Sequence, residues 1–163
     1  MLLYSWSVTG PFAFDDLHLL LKAERYLRGE SARPDLFRFA DSPAAWQALR
    51  DRGTVPWWFP ADQRVAFFRP LAEWSFTLDV AIFGRAAVGH RLVSLFWFAV
   101  ALWAVQRLFC AAGATPARAG AATLLLGVSQ TLAQPATFIC NRSDLLVIVG
   151  TALAGEVLSL IHI

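Results

Sequence analysis

The sequence predicts an all-α membrane protein with about three transmembrane helices and an outer loop of surface (juxtamembrane) helices, the whole reading as a fragment of a larger fold. Three observations lead there. The chain is apolar for its length: 57% of its 163 residues are hydrophobic and 16% charged, against about 45–50% and about 25% in an average soluble domain. Its charge is unevenly placed, since the last 72 residues hold only Arg107, Arg118, Arg142, Asp144 and Glu156. Those few charges leave windows long enough to cross a bilayer, for which about 20 apolar residues suffice.

The elements follow in chain order. Residues 1–14, MLLYSWSVTGPFAF, are too short to span and read as the tail of a truncated first span. Residues 15–87 form an extracytoplasmic loop with ordinary helix punctuation. Asp15 or Asp16 can cap a helix over about 16–28, with Leu17, Leu20, Leu21 and Leu27 on one face. Ser42-Pro43 opens a second helix, AAWQALRDR, closed by Gly53. Pro70 opens a third, LAEWSFTLDVAIF, closed by Gly84. Trp57, Trp58, Phe67, Phe68 and Trp74 between and along them suit a membrane surface, where amphipathic aromatics concentrate.

Residues 88–163 carry the spans. The first covers about 88–112 and contains LVSLFWFAVALWAV. The second covers about 118–140, where Gly127, Ser129 and Gln130 suit helix–helix contact and Pro135 ends or kinks the helix. The third covers about 144–163, interrupted by Glu156, which reads as an unpaired intramembrane acid. The chain stops inside a hydrophobic stretch, and its closing LSLIHI reads as translated sequencing adapter.

The connection between the first two spans holds Arg107 and Arg118 and no acid, which makes it cytoplasmic. Residues 15–87 and the Asn141–Asp144 turn then face outward together. A net charge of +2 excludes a basic nucleic-acid-binding domain. Thirteen arginines against the single Lys22, with abundant Ala, read as a GC-rich bacterial gene and hence a bacterial inner (plasma) membrane. Cys110 and Cys140 fall at opposite ends of consecutive spans, roughly 30 Å apart, too far for a disulfide.

Four clusters could carry chemistry. The adjacent acids Asp15 and Asp16 could act as a general base or hold a divalent cation such as Mg2+ or Mn2+; the plainer reading is a helix cap on the dipole. Arg142-Ser143-Asp144 opens the third span, either as a near-membrane functional pair or as a capped helix with an interfacial Arg. Arg69, in Phe68-Arg69-Pro70-Leu71, could hold a lipid phosphate bidentately, or snorkel to the interface. His90-Arg91 at the outer end of a span could do the same, or simply anchor it. His18 takes no role. No phosphate-cradling glycine loop, zinc spacing or nucleophile elbow is present.

In order and spacing these pieces resemble the N-terminal part of the GT-C superfamily of integral-membrane glycosyltransferases, in the protein O-mannosyltransferase-like branch that includes tetratricopeptide-tailed members. The resemblance runs through Phe14-Asp15-Asp16, Phe67-Phe68-Arg69-Pro70-Leu71, Ser75, Leu78-Asp79, Phe83-Gly84, Gly89-His90-Arg91-Leu92-Val93, Pro135 and Arg142-Ser143-Asp144-Leu145-Leu146. It implies a sugar donor on a polyprenyl phosphate and an acceptor hydroxyl, on a protein, lipid or glycan, at the outer face. It also implies a catalytic base at Asp15, with Asp16 second, and substrate contacts at Arg69, His90, Arg91, Arg142 and Asp144. Ser94 departs from the family's frequent Asn and Gln134 from its frequent His. The competing expectations are a polytopic transporter or channel subunit and a small structural membrane protein.

Overall fold

A computed structural model describes residues 2–53, 55, 58–60 and 64–161. In order these form a 3-10 helix (Leu2–Thr9), α1 (Phe14–Leu27), β1 (Arg38–Ala40), α2 (Pro43–Asp51), β2 (Val65–Ala66), α3 (Pro70–Phe83), α4 (Ala87–Ala111), α5 (Pro116–Gly127), α6 (Gln130–Thr137), a 3-10 turn (Ile139–Asn141) and α7 (Arg142–Ile161). The class is all-α, with one small antiparallel ribbon in which Arg38 faces Ala66 and Ala40 faces Val65. Trp57, expected among the interfacial aromatics, lies outside the described residues.

Local chemistry sets the helices before Ala87. The Ser42 hydroxyl caps α2 by accepting the Ala45 N–H at 3.2 Å, and Pro43 fills the first turn, where its missing N–H costs nothing. Gly53 and Gly84 adopt positive φ of 66° and 54° just past α2 and α3, a conformation that favours glycine. α1 begins two residues earlier than its acids imply. Ala13 is the residue before the helix, and Asp16 reaches back to accept its N–H at 3.0 Å. The buried face of α1 is Leu19, Leu20 and Ala23, at helical spacing from Asp16. Of the face expected from sequence only Leu20 is buried, while Leu17, Leu21 and Leu27 are exposed. α1 is apolar on two sides, and packing against Phe76 and Val80 of α3 and against Ile139 selects one of them.

Two stretches are long and apolar enough to cross a membrane, Ala87–Ala111 and Ile139–Ile161. The third, expected over 118–140, is not a continuous helix. That run is two helices, α5 and α6, about 18 and 12 Å long at 1.5 Å per residue, too short to cross singly. The break falls at Ser129, whose backbone is extended (φ −68°, ψ 149°). Gly127 just before it is a poor helix former, and the Ser129 hydroxyl donates to its own chain at Leu126 O, 2.7 Å away, in competition with the helix ladder. Tyr4 satisfies the interrupted ladder by donating to the Gly127 carbonyl at 3.0 Å. The same ring meets Phe98, midway along α4, edge-on at 5.3 Å.

α4 and α7 run side by side in the same direction. Near their N-termini Arg142 contacts His90 and Ser94. Near their C-termini Arg107 grips Glu156 through Nε at 2.9 Å and Nη2 at 2.5 Å, with Trp103 stacked on the guanidinium at 5.0 Å. Glu156 is therefore paired, and the reading of it as a lone intramembrane acid is corrected. The two charges lie on different helices, so their meeting depends on the parallel packing. Small residues allow close approach to α4: a Cβ on Gly155 of α7 would stand 3.0 Å from Leu108, and one on Gly127 of α5 3.1 Å from Leu102. Leu92, Phe96, Trp103, Val147 and Leu153 stay on the outside of this bundle.

Candidate active site

The site is built where the start of α1 meets the turn that leads into α7. Asp16 is fully buried, and its two oxygens are committed to backbone amides. Oδ2 accepts from Ala13 N at 3.0 Å and Oδ1 from Cys140 N at 2.9 Å. This places the acidic pair against the Cys140–Ser143 turn, far away in sequence. Its neighbour Asp15 is exposed. One turn along α1, His18 stacks on Phe39 at 5.0 Å, and burial holds its imidazole below the ordinary range, Lys22 adding to this and Asp15 opposing it.

The same turn receives Arg69. Its Nη1 donates to the Ser143 hydroxyl at 2.9 Å, and that hydroxyl lies 3.3 Å from an Asp144 oxygen. The guanidinium is sandwiched near the rings of Phe37 (5.2 Å) and Phe67 (5.0 Å). Beside it opens a groove of about 270 Å3 between the first turns of α3 and α7, walled by Phe68, Leu71, Leu146 and Val147. Arg69 is the cation at its rim. Asp144 is exposed in the first turn of α7, where a carboxylate favours the helix dipole.

The remaining residues expected to bind substrate are used inside the fold. Arg142 is 1% exposed and pairs with Asp79 of α3 at 2.5 Å. It also donates to Ser75 Oγ at 3.0 Å, to Ser94 Oγ at 3.2 Å and to the His90 carbonyl at 2.9 Å. His90 is completely buried among the rings of Phe12, Phe76 and Phe83. Its Nε2 donates to the Gly84 carbonyl at 2.9 Å, which leaves Nδ1 3.6 Å from the Asp79 carboxylate. Arg91 donates to the carbonyls of Thr137, at 2.9 Å, and Pro11. It also lines a cavity of about 290 Å3 with Ser7, Gly10 and Thr137. The structure thus assigns Arg142, His90 and Arg91 to joining helices, and leaves Arg69 and Asp144 of that set at an accessible surface.

A metal held by Asp15 and Asp16 together finds little support, because both Asp16 oxygens already accept amides. Among the described residues no group of three His, Cys, Asp or Glu side chains converges on a common point. Cys110 and Cys140 are free thiols. Sequence reasoning gave Asp79 no role of its own, yet it is the centre of the buried network. Its signal was available: between Glu73 and Asp144 it is the only acid in the chain, in an apolar helix where a lone charge needs a partner.

Comparison with protein-family models, curated proteins and solved structures returns no match for this chain. The functional reading therefore rests on the residues and their geometry.

Proposed function

We propose that the chain belongs to an integral-membrane glycosyltransferase that takes a sugar from a polyprenyl-phosphate donor and passes it to an acceptor hydroxyl at the extracytoplasmic face. One observation carries this reading. A free carboxylate, Asp15, and a partly exposed cation, Arg69, are held to the same short turn, Asp15 through its neighbour's bond to Cys140 N and Arg69 through Ser143. An apolar groove opens beside the cation. The two helices long enough to cross a membrane both begin at this end.

The parts fit the chemistry. A polyprenyl phosphate needs an apolar wall for its isoprenoid chain and a cation for its phosphate; the groove offers Leu71, Leu146 and Val147 for the first and Arg69 for the second. Asp15 takes the proton of the acceptor hydroxyl as that oxygen bonds to the anomeric carbon. The bond from that carbon to the phosphate oxygen breaks, and the electron pair leaves on polyprenyl phosphate, whose charge Arg69 offsets. A single displacement of this kind inverts the anomeric centre. Arg142, paired with Asp79, positions the turn and touches no substrate.

The test is Asp15→Asn in the full gene product, assayed for sugar transfer from polyprenyl-phosphate donors in membranes. Transfer falls by at least about a hundredfold, the usual contribution of a general base, while the protein inserts and unfolds like the parent. Retained turnover would remove Asp15 from the reaction. A transporter would instead keep its flux in this variant.

A further inference from the structure

A second cavity, of about 450 Å3, lies on the outer segment between the loop after α1 and the first turns of α3. That volume is in the range of small-molecule sites, about 300–1,000 Å3. Its character differs from that of the groove at Arg69. Arg33 and Arg38 are balanced by Asp35 and Glu73, and the aromatic wall is Phe67 and Trp74. Trp74 is 57% exposed and is propped by Tyr26, which meets it edge-on at 5.9 Å.

The backbone here is under strain. Asp35 has φ +40°, a conformation that a non-glycine residue holds only where its surroundings impose it. Its carbonyl accepts the Lys22 ammonium at 3.0 Å and the Arg38 N–H at 3.3 Å, which holds its backbone at the cavity wall, and its carboxylate lies 3.8 Å from Arg38 Nε. Lys22 also ties the cavity to the candidate base. Asp15, His18 and Lys22 recur at helical spacing on one face of α1, about 10 Å from first to last. Phe39 lies over both His18 (5.0 Å) and Lys22 (5.7 Å).

We infer that this cavity is the acceptor subsite of the proposed enzyme and that the acceptor is a neutral carbohydrate. The inference rests on the glycosyltransferase reading for the word acceptor, and on the cavity alone for the word carbohydrate. Sugar hydroxyls both donate and accept, which matches a wall with two guanidinium donors and two carboxylate acceptors. The apolar face of a pyranose ring stacks on an exposed indole such as Trp74. The balanced charge favours a neutral ligand over a phosphate or a polyanion.

The test uses the chain in nanodiscs and three neutral probes, cellotetraose, maltotetraose and N-acetylchitotetraose, with binding read by saturation-transfer NMR. At least one probe binds saturably. Trp74→Ala weakens it about tenfold, the loss of one stacking partner. Asp35→Gly, which removes a carboxylate while relieving the strained φ, weakens binding without lowering thermal stability, so misfolding is not mistaken for the effect. The inference is overturned if no probe binds, if both cavity variants bind as the parent does, or if a serine- and threonine-containing peptide binds in their place and depends on Trp74. Binding that depends on Trp74, together with transfer that survives Asp15→Asn, would uphold a carbohydrate site while sinking the reading of its use.

Discussion

Asp79 of α3 and Arg142 of α7 form a buried ion pair, Oδ2 to Nη1 2.5 Å, at a junction of three helices where neither residue is more than 3% exposed. Burying two charges costs more than either partner alone recovers, so removing one leaves the other stranded. Asp79→Ala is expected to cost about 3–5 kcal/mol. The double variant Asp79→Asn with Arg142→Met removes both charges together, at the smaller cost of leaving the Ser75 and Ser94 hydroxyls and the His90 carbonyl without their donor, so it costs less than the single variant. Thermal unfolding in micelles checks this: a double variant as unstable as the single one would mean that the stranded charge is not what the single variant loses.

Asp15 and Asp16 are adjacent, and their structural roles are opposite. Asp16→Ala strands the N–H groups of Ala13 and Cys140 and is expected to destabilise by about 2 kcal/mol, within the usual cost of unsatisfied buried donors. Asp15→Ala alters an exposed side chain and shifts stability by less than about 0.5 kcal/mol. The order is read directly from paired unfolding curves, and equal losses would mean that Asp15 also holds the turn.

How much of this the sequence shows depends on the range of the interaction. Ser42-Pro43 with Gly53, and Pro70 with Gly84, bound their helices correctly because a cap and a positive φ act within a few residues. The meeting of the acidic pair with the turn before Arg142 is expected from an order of three spans that the structure does not show; it comes about instead through the bond of Asp16 to Cys140 N. The division of 118–140 was not legible either, because Gly127, Ser129 and Pro135 are each tolerated in a helix; the Tyr4 hydroxyl on Gly127 shows how the break is accommodated. The fates of Arg142 and Glu156 were hidden for a related reason. Each finds its partner, Asp79 or Arg107, on another helix, and only packing decides between a paired charge and a free one.

Glu24 on α1 and Arg85 just beyond α3 form a bidentate pair, 2.7 and 2.8 Å, that ties α1 to the α3–α4 junction. The hydrogen bond from Arg85 holds the Glu24 carboxyl below its ordinary value of 4.5. A depressed acid binds fewer protons in the folded state, so its contribution is present above pH 4.5 and is lost as pH falls through the folded value. Arg85→Ala should therefore raise the pH at which the outer segment acid-unfolds. Because the pair is at the surface, high salt should shrink the difference, and an acid limb insensitive to both would show that the pair does not bind α1 to this junction.

Gly89 and Gly150 provide a matched contrast on the two helices long and apolar enough to cross a membrane. A Cβ on Gly89 would stand 2.3, 2.4 and 2.9 Å from atoms of the Phe83 side chain, whereas one on Gly150 would meet nothing within 4 Å. Gly150→Ala is expected to be neutral or to stabilise by up to about 1 kcal/mol, the gain in helix propensity. Gly89→Ala must displace Phe83, whose ring packs on His90 at 6.1 Å, and overpacking of this kind costs about 1–3 kcal/mol. The displaced ring disturbs the wall that keeps His90 beside Asp79, so the loss should be smaller once Asp79 and Arg142 are already replaced. A double-mutant cycle measures that coupling. Strict additivity would mean that Phe83 can move without disturbing the buried pair, and that the α3–α4 corner is looser than its contacts imply.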